Sequence, residues 1–185
     1  MNKVGIKVIE TERLVLRPFT VDDAPAMYER WASDPEVTKY LTWLPHPSAD
    51  VTRAYLADLV AKYDRGDFFD WAIDFKGVGV IGSIGVVGYR EETEAAELGY
   101  CMSRAYWGQG IMPEALKGVI AFLFDEVGAR RISTKHDIAN PKSGRVMAKA
   151  GMKYEGTFRG AGYNNRGIID EVCYGMLRED RAGEK

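Results

Sequence analysis

The sequence predicts an α/β fold, one mixed sheet flanked by helices, in a single domain over residues 1–185 with its core about residues 10–178. Three observations point there. Helical periods and β-rich runs interleave in the order β α α, β β β, α β α, β β, and one sheet covered by helices is the economical way to bury elements so arranged. At 185 residues the chain is long enough for one substantial core. Its composition, 46% hydrophobic and 28% charged, is that of an ordinary globular protein, and no repeat, low-complexity segment or linker divides it.

The elements follow in order. Residues 10–19 carry Leu14, Val15 and Leu16 between charges and read as a first strand ending near Pro18. Thr20, Val21, Asp22 and Asp23 supply a hydroxyl cap and first-turn acids for a helix running to about Trp31. A short helix is expected over 34–41, before the breakers Pro45 and Pro47, and Leu56, Leu59, Val60 and Tyr63 then mark an amphipathic helix. Residues 70–75, 78–89 and 95–103 are short and β-rich and read as an antiparallel meander. Residues 113–127 return to helical period and stop at Gly128, and 130–136 is a strand candidate. Asn140 and Pro141 open a helix that Gly151 closes, with Asn140 as its cap. Strands around 152–159 and 168–177 complete the sheet.

Composition narrows the function classes. No run approaches the roughly 18 apolar residues of a membrane span, and the first residues lack the apolar core of a signal peptide. Cys101 and Cys173 stand far apart without metal-ligand spacing, so free thiols in a reducing cytoplasm are the simplest reading and no metal is expected. A net charge of −2 gives no argument for nucleic acid or membrane. Its distribution is uneven: residues 1–100 hold 17 acids against 11 bases, a net of −6, and residues 101–185 hold 10 against 14, a net of +4. That split suits an anionic ligand held by the later half and a cationic one facing the earlier half.

The most informative stretch runs from Glu97 to Leu116. A strand enters a turn holding Gly108 and Gly110, and a helix starts directly afterwards. Glycines let the backbone approach a ligand closely, and the helix start offers unpaired N–H groups beside a positive dipole end, which together suit a pyrophosphate. Taken alone, these glycines read equally well as a plain strand-to-helix turn.

Gly108, Gln109 and Gly110 with the following Ile111 to Leu116 resemble the cofactor motif of the GNAT acetyltransferases. Asn140 and Ser143, followed by Val146 to Met152, are similar to the next motif of that family. The opening Thr11 to Pro18 and the closing Asp170 to Tyr174 resemble the branch of bacterial ribosomal-protein N-terminal acetyltransferases. The resemblance covers about residues 11–178, with one departure: Ala105 stands where many members carry Gln or Arg. It implies a mixed, mostly antiparallel sheet of about seven strands, splayed between the fourth and fifth, with acetyl-CoA as cosubstrate in the gap. Backbone groups at Cys101, Met102 and Ser103 would meet the pantetheine arm, Trp107 to Ile111 would surround the pyrophosphate, and Asn140 would reach the pantetheine amides.

The chemistry implied is transfer of an acetyl group to a primary amine by direct attack. Glu97, on the cofactor strand, is the candidate base, with an exposed structural Glu as the competing reading. Ser143 is expected to bind cofactor first and to protonate the departing thiolate second. Trp43 and Trp71 are the candidate acceptor-binding aromatics, although aromatics more often serve the core. The preferred acceptor is a peptide or protein N-terminal α-amine; polyamines and aminoglycosides, or a non-catalytic CoA sensor, are the alternatives. The sequence leaves the oligomeric state open, a dimer included. Residues 77–82 also match the dinucleotide fingerprint, with Glu97 20 residues beyond Gly77, yet strand rather than helix follows, so a β-hairpin is expected.

Overall fold

Alternating apolar residues build an eight-stranded sheet in a computed structural model of the chain, which describes residues 2–181. The strands are β1 (Ile9–Glu10), β2 (Leu14–Pro18), β3 (Asp70–Phe75), β4 (Gly79–Arg90), β5 (Ala95–Met102), β6 (Arg131–Asp137), β7 (Lys153–Asn164) and β8 (Gly167–Leu177). In space they lie in the order β1-β2-β3-β4-β5-β6-β8-β7, all antiparallel except β5 beside β6. The expected seven strands become eight because the first one breaks. Leu14 N–H donates to the Thr11 hydroxyl at 3.0 Å and Thr11 N–H to the Leu14 carbonyl at 3.0 Å, folding Ile9–Glu10 back as a strand of its own.

Helices cover both faces. On one lie α1 (Ala24–Met27), extended by a wider π turn over Tyr28–Ala32, α2 (Pro35–Thr38) and α3 (Ala49–Val60). On the other lie α4 (Ile111–Phe122) and α5 (Pro141–Lys149), and α6 (Arg178–Arg181) follows the last strand. The alternation of β3 divides the core: Trp71 and Ile73 pack toward α4 with Leu116 and Val119, while Ala72 packs toward α1 and α3 with Trp31 and Leu56. Gly128, at φ 85°, ends the π turn that continues α4, as its place in the sequence predicts. Asn140 does occupy the cap position of α5, but its side chain makes no capping bond.

Two features position the site. First, β5 and β6 pair only over Ala95–Leu98 and Arg131–Thr134, although β5 runs on to Met102 and β6 to Asp137. A gap therefore opens beyond Leu98, between the strands counted fourth and fifth from sequence. Second, the fingerprint glycines form the β3–β4 hairpin. Gly77 and Gly79 take φ of 82° and 96° in its turn, and a Cβ on Gly82 would lie 2.5 Å from the Cys101 carbonyl. The dinucleotide reading ends there.

Candidate active site

The edge of β5 that faces the gap is set by strand alternation. Ser103 N–H donates to the Ile81 carbonyl at 2.8 Å, so the backbone groups of Cys101 and Gly99 also point toward β4. Those of Tyr100 and Met102 point the other way, into the gap. The main-chain groups of Cys101 and Ser103, expected to face the cofactor, are instead taken up by the sheet and its following turn, while Tyr100, absent from the motif reading, presents its main chain to the gap. The Met102 carbonyl is itself capped by the Trp107 indole N–H at 2.8 Å.

At the end of β5 the chain turns through Gly108 and Gly110, at φ 77° and 75°, into α4. Among the described residues, the N–H groups of Gly108, Gln109, Gly110, Ile111 and Met112 donate to no protein acceptor. A Cβ on Gly108 would meet nothing within 4 Å, so the loop faces open space. The Gln109 side chain curls back to the Ala105 carbonyl at 2.9 Å, bracing the turn from inside.

A salt bridge explains why the opening Thr11–Arg13 segment belongs with this loop. Glu114, in the first turn of α4, accepts from the Thr11 hydroxyl at 2.6 Å, Arg13 N–H at 2.9 Å and Arg13 Nε at 2.7 Å. Arg13 Nη1 continues to the Gln109 carbonyl at 3.0 Å. Burial pushes the Glu114 carboxyl up, but the bonds from Thr11 and Arg13 outweigh it and hold the group below the usual carboxylate range.

Helix α5 lies across the gap. Its Lys142 ammonium sits 5.5 Å over the Trp107 ring, and Ser143 Oγ is 2.9 Å from the Tyr100 hydroxyl. Burial pushes the Tyr100 phenol well above its ordinary value, so it is a neutral partner for Ser143. The Asn140 side chain makes no hydrogen bond among the described residues. His136 instead packs under Gly144, where a Cβ would lie 2.6 Å from Nε2.

The opposite face of the sheet carries a second group of side chains. Trp43, His46 and Tyr55 form an aromatic column with centroids 5.3 and 5.8 Å apart, and His46 Nδ1 is 2.8 Å from the Thr52 hydroxyl. Burial lowers the His46 pKa, which keeps the ring neutral. Beyond Tyr55 lie Asp70 and the pair Ser83 Oγ and Cys101 Sγ, 3.4 Å apart. Burial, against a hydrogen bond with Ser83, pushes the Cys101 thiol up to about 11, so it is no thiolate nucleophile at neutral pH. The β7–β8 hairpin closes this side: Asn165 Nδ2 donates to the carbonyls of Thr38 and Trp43, each at 2.8 Å.

Two expected residues sit differently. Glu97 lies in the paired part of β5, where Lys135 Nζ holds it at 3.1 Å and also reaches Glu171 at 3.7 Å. Trp71 is not an acceptor-site residue. It is 0% exposed, packs against Phe69 and Phe122, and donates its indole N–H to the Lys7 carbonyl at 2.8 Å. The alternation of β3 turns it into the α4-side core, while its neighbour Asp70 faces the other side.

Among the described residues no helix is long and apolar enough to cross a membrane. Residues 13–153 match the family described as Acetyltransferase (GNAT) domain. The protein named Uncharacterized N-acetyltransferase p20, from Bacillus licheniformis, is 29% identical over 179 residues, covering 96% of this chain and 100% of that one. The ribosomal-protein-serine acetyltransferase of Escherichia coli is 27% identical over 149 residues, 76% of this chain and 83% of its own. Among solved structures, RimL, a ribosomal alpha-N-protein acetyltransferase in complex with coenzyme A, shares the fold with a TM-score of 0.82 at 23% identity, covering 92% of this chain and 98% of that one.

Proposed function

The chain belongs to the GNAT acetyltransferases, and from its standing as an acetyl-CoA-dependent N-acetyltransferase we propose that its acceptor is the α-amine of a peptide or protein N-terminus. Acetyl-CoA, when bound, supplies an acetyl group activated as a thioester. The residues present fit it. The free N–H groups from Gly108 to Met112 and the positive end of α4 suit the pyrophosphate, and the outward backbone groups of Tyr100 and Met102 suit the amides of the pantetheine arm. Asn140 extends that row from the far side of the gap. Tyr100 N–H is the donor placed to polarise the thioester carbonyl, as an oxyanion-hole group does. Ser143, held by the Tyr100 hydroxyl, would help hold the cofactor. We assign Trp43 to the wall of the acceptor site.

One observation carries the peptide reading. Gly85 and Gly99 lie side by side in the β4–β5 register near the mouth of the gap, with the Asp70 side chain packed over Gly85 and the Val87 side chain over Gly99. Tyr55 and Trp43 stand along this face, and the β7–β8 hairpin pinned by Asn165 closes the far side. The half of the sequence that supplies most of this face is the acidic one, which favours a cationic amine. The 27% identity to a ribosomal-protein-serine acetyltransferase supports the same choice.

The test is a competition assay with acetyl-CoA that follows free-thiol release. Short peptides with free and with blocked α-amines are set against polyamines and aminoglycosides. Turnover of the free-amine peptides, lost on blocking, is expected. Turnover confined to the small amines would overturn the peptide assignment.

A further inference from the structure

We propose that Asp70 is the group that takes the proton from the acceptor amine, in place of Glu97. The proposal rests on the N-acetyltransferase reading above and names the proton acceptor of that same site.

Register brings Asp70 to the reacting end of the gap. Asp70 on β3 faces Gly85 on β4, which faces Gly99 on β5, so the three form one row across the sheet. Gly99 is the first residue of β5 beyond its last pairing with β6, at Leu98 and Thr134. Neighbouring strands lie about 4.8 Å apart, so the Asp70 backbone is roughly 10 Å from that of Gly99. Its side chain leans over the intervening position, with Cγ 2.9 Å from where a Cβ on Gly85 would stand. The remaining distance of about 5 Å holds an amine nitrogen or one water. Neither glycine carries a side chain of its own, and the group nearest the Gly99 position is the Val87 side chain, with Cγ1 2.8 Å from where a Cβ would stand.

The two carboxylates differ in how they are held. Glu97 is paired with Lys135 at 3.1 Å. Among the described residues the Asp70 carboxylate has no hydrogen-bond or ion-pair partner. The groups around Asp70 are Tyr55 and Lys62 from the α3 segment, Tyr63, whose hydroxyl donates to the Asp70 carbonyl at 2.6 Å, and Ser83 and Cys101 from the sheet. Burial, offset in part by the charge of Lys62, sets the Asp70 carboxyl at about 7. A base near the working pH is both available and strong enough to act.

The proton balance closes with these groups. The acceptor ammonium gives one proton to the Asp70 carboxylate, and the freed lone pair forms the C–N bond to the acetyl carbon as the C–S bond breaks. The second nitrogen proton lost on forming the amide matches the one that the departing thiolate gains. Asp70 returns its proton to solvent, so one proton is released per turnover.

The experiment compares Asp70→Asn with Glu97→Gln in the full chain, over pH 5 to 9, with the amine that the wild type turns over best. Asp70→Asn is expected to lower kcat by about 10²–10⁴-fold and to remove a break near pH 7 that persists in the wild type with acceptors of different amine pKa. Its calorimetric affinity for acetyl-CoA should stay within about twofold, and Glu97→Gln should lose at least about tenfold less rate. Asp70→Ser replaces the amide variant if that one fails to fold. Near-wild-type rate without the Asp70 carboxylate, an unchanged pH break, or a larger loss in Glu97→Gln would overturn the proposal. A wild type that uses only polyamines would sink the peptide reading alone, because the Asp70 comparison then runs on the polyamine. A wild type inert toward every amine would overturn both.

Discussion

The two sides of the gap are built by opposite means. The cofactor side is mostly main chain: five free N–H groups over Gly108 to Met112, two left-handed glycines, and an outward strand edge at Tyr100 and Met102. Its side chains, Thr11, Arg13 and Glu114, brace the loop rather than face a ligand. The proposed acceptor side is mostly side chain: Trp43, His46, Tyr55 and Asp70 arrive from a loop, a helix and a strand.

The sharpest way to break that comparison is to put a side chain where the cofactor side has none. Gly110 sits at φ 75°, and a Cβ there meets only Arg13 Nη2 at 3.6 Å, an ordinary contact. Gly110→Ala therefore adds the strain of a left-handed residue, about 1–2 kcal/mol of folding stability, and leaves affinity for acetyl-CoA within a few-fold. Gly110→Glu also places a carboxylate in the anion site, and like charges brought together cost several kcal/mol, so the loss should reach about 100-fold or more. Calorimetry with acetyl-CoA reads both variants. Equal affinity for Gly110→Glu and wild type would remove the pyrophosphate assignment.

The same contrast governs what the sequence reveals. A main-chain site is contiguous, so the strand, the glycines and the helix start between Glu97 and Leu116 are legible as one motif. The splay is legible as well, through resemblance. Tyr100 was missed because its importance lies in which way its backbone points, and that parity follows from the pairing of Ser103 with Ile81. Asp70 and Trp71 are adjacent in sequence, yet strand alternation sends one to the acceptor face and the other to the core. Trp43 and Tyr55 meet His46 only where the loop before α3 folds back. Sites assembled by register and long loops leave little local signal.

A smaller effect sharpens the boundary between the two sides, at the Tyr100–Ser143 contact. Ser143→Ala and Tyr100→Phe each remove one end of a 2.9 Å hydrogen bond that joins β5 to α5. Such a bond contributes about 1 kcal/mol, which is roughly fivefold to tenfold. If the pair orients the cofactor, steady-state kinetics should show this as a raised KM for acetyl-CoA with kcat nearly unchanged, and the double variant should be little worse than either single one. A fall in kcat in Ser143→Ala but not in Tyr100→Phe would instead assign proton donation to Ser143.

The remaining effect is on stability, and it has opposite signs on the two sides. Asp70 has a folded-state pKa of about 7, above the roughly 3.9 of an unfolded Asp, so the folded chain holds more protons between those values. Its favourable contribution is complete below about pH 4, is lost as the pH rises to about 7, and is absent above. Asp70→Asn does not titrate, so its unfolding midpoint should gain on the wild type across that window and keep the gain at higher pH. A gain of up to about 10 °C is expected, since a shift of about three pKa units is worth about 4 kcal/mol and each kcal/mol shifts a chain of this size by about 2–4 °C. Glu114 runs the other way. Its folded-state pKa lies below the usual carboxylate value because Thr11 and Arg13 bond to it, so its contribution is present at neutral pH and is lost as the pH falls through the carboxylate range. Glu114→Gln should therefore unfold earlier than the wild type at pH 7 and converge on it in acid. Thermal melts of the two variants from pH 4 to 8 test the contrast directly. Two curves of the same sign would mean that Asp70 is a braced structural carboxylate like Glu114, and the division between a main-chain cofactor side and a side-chain acceptor side would lose its electrostatic half.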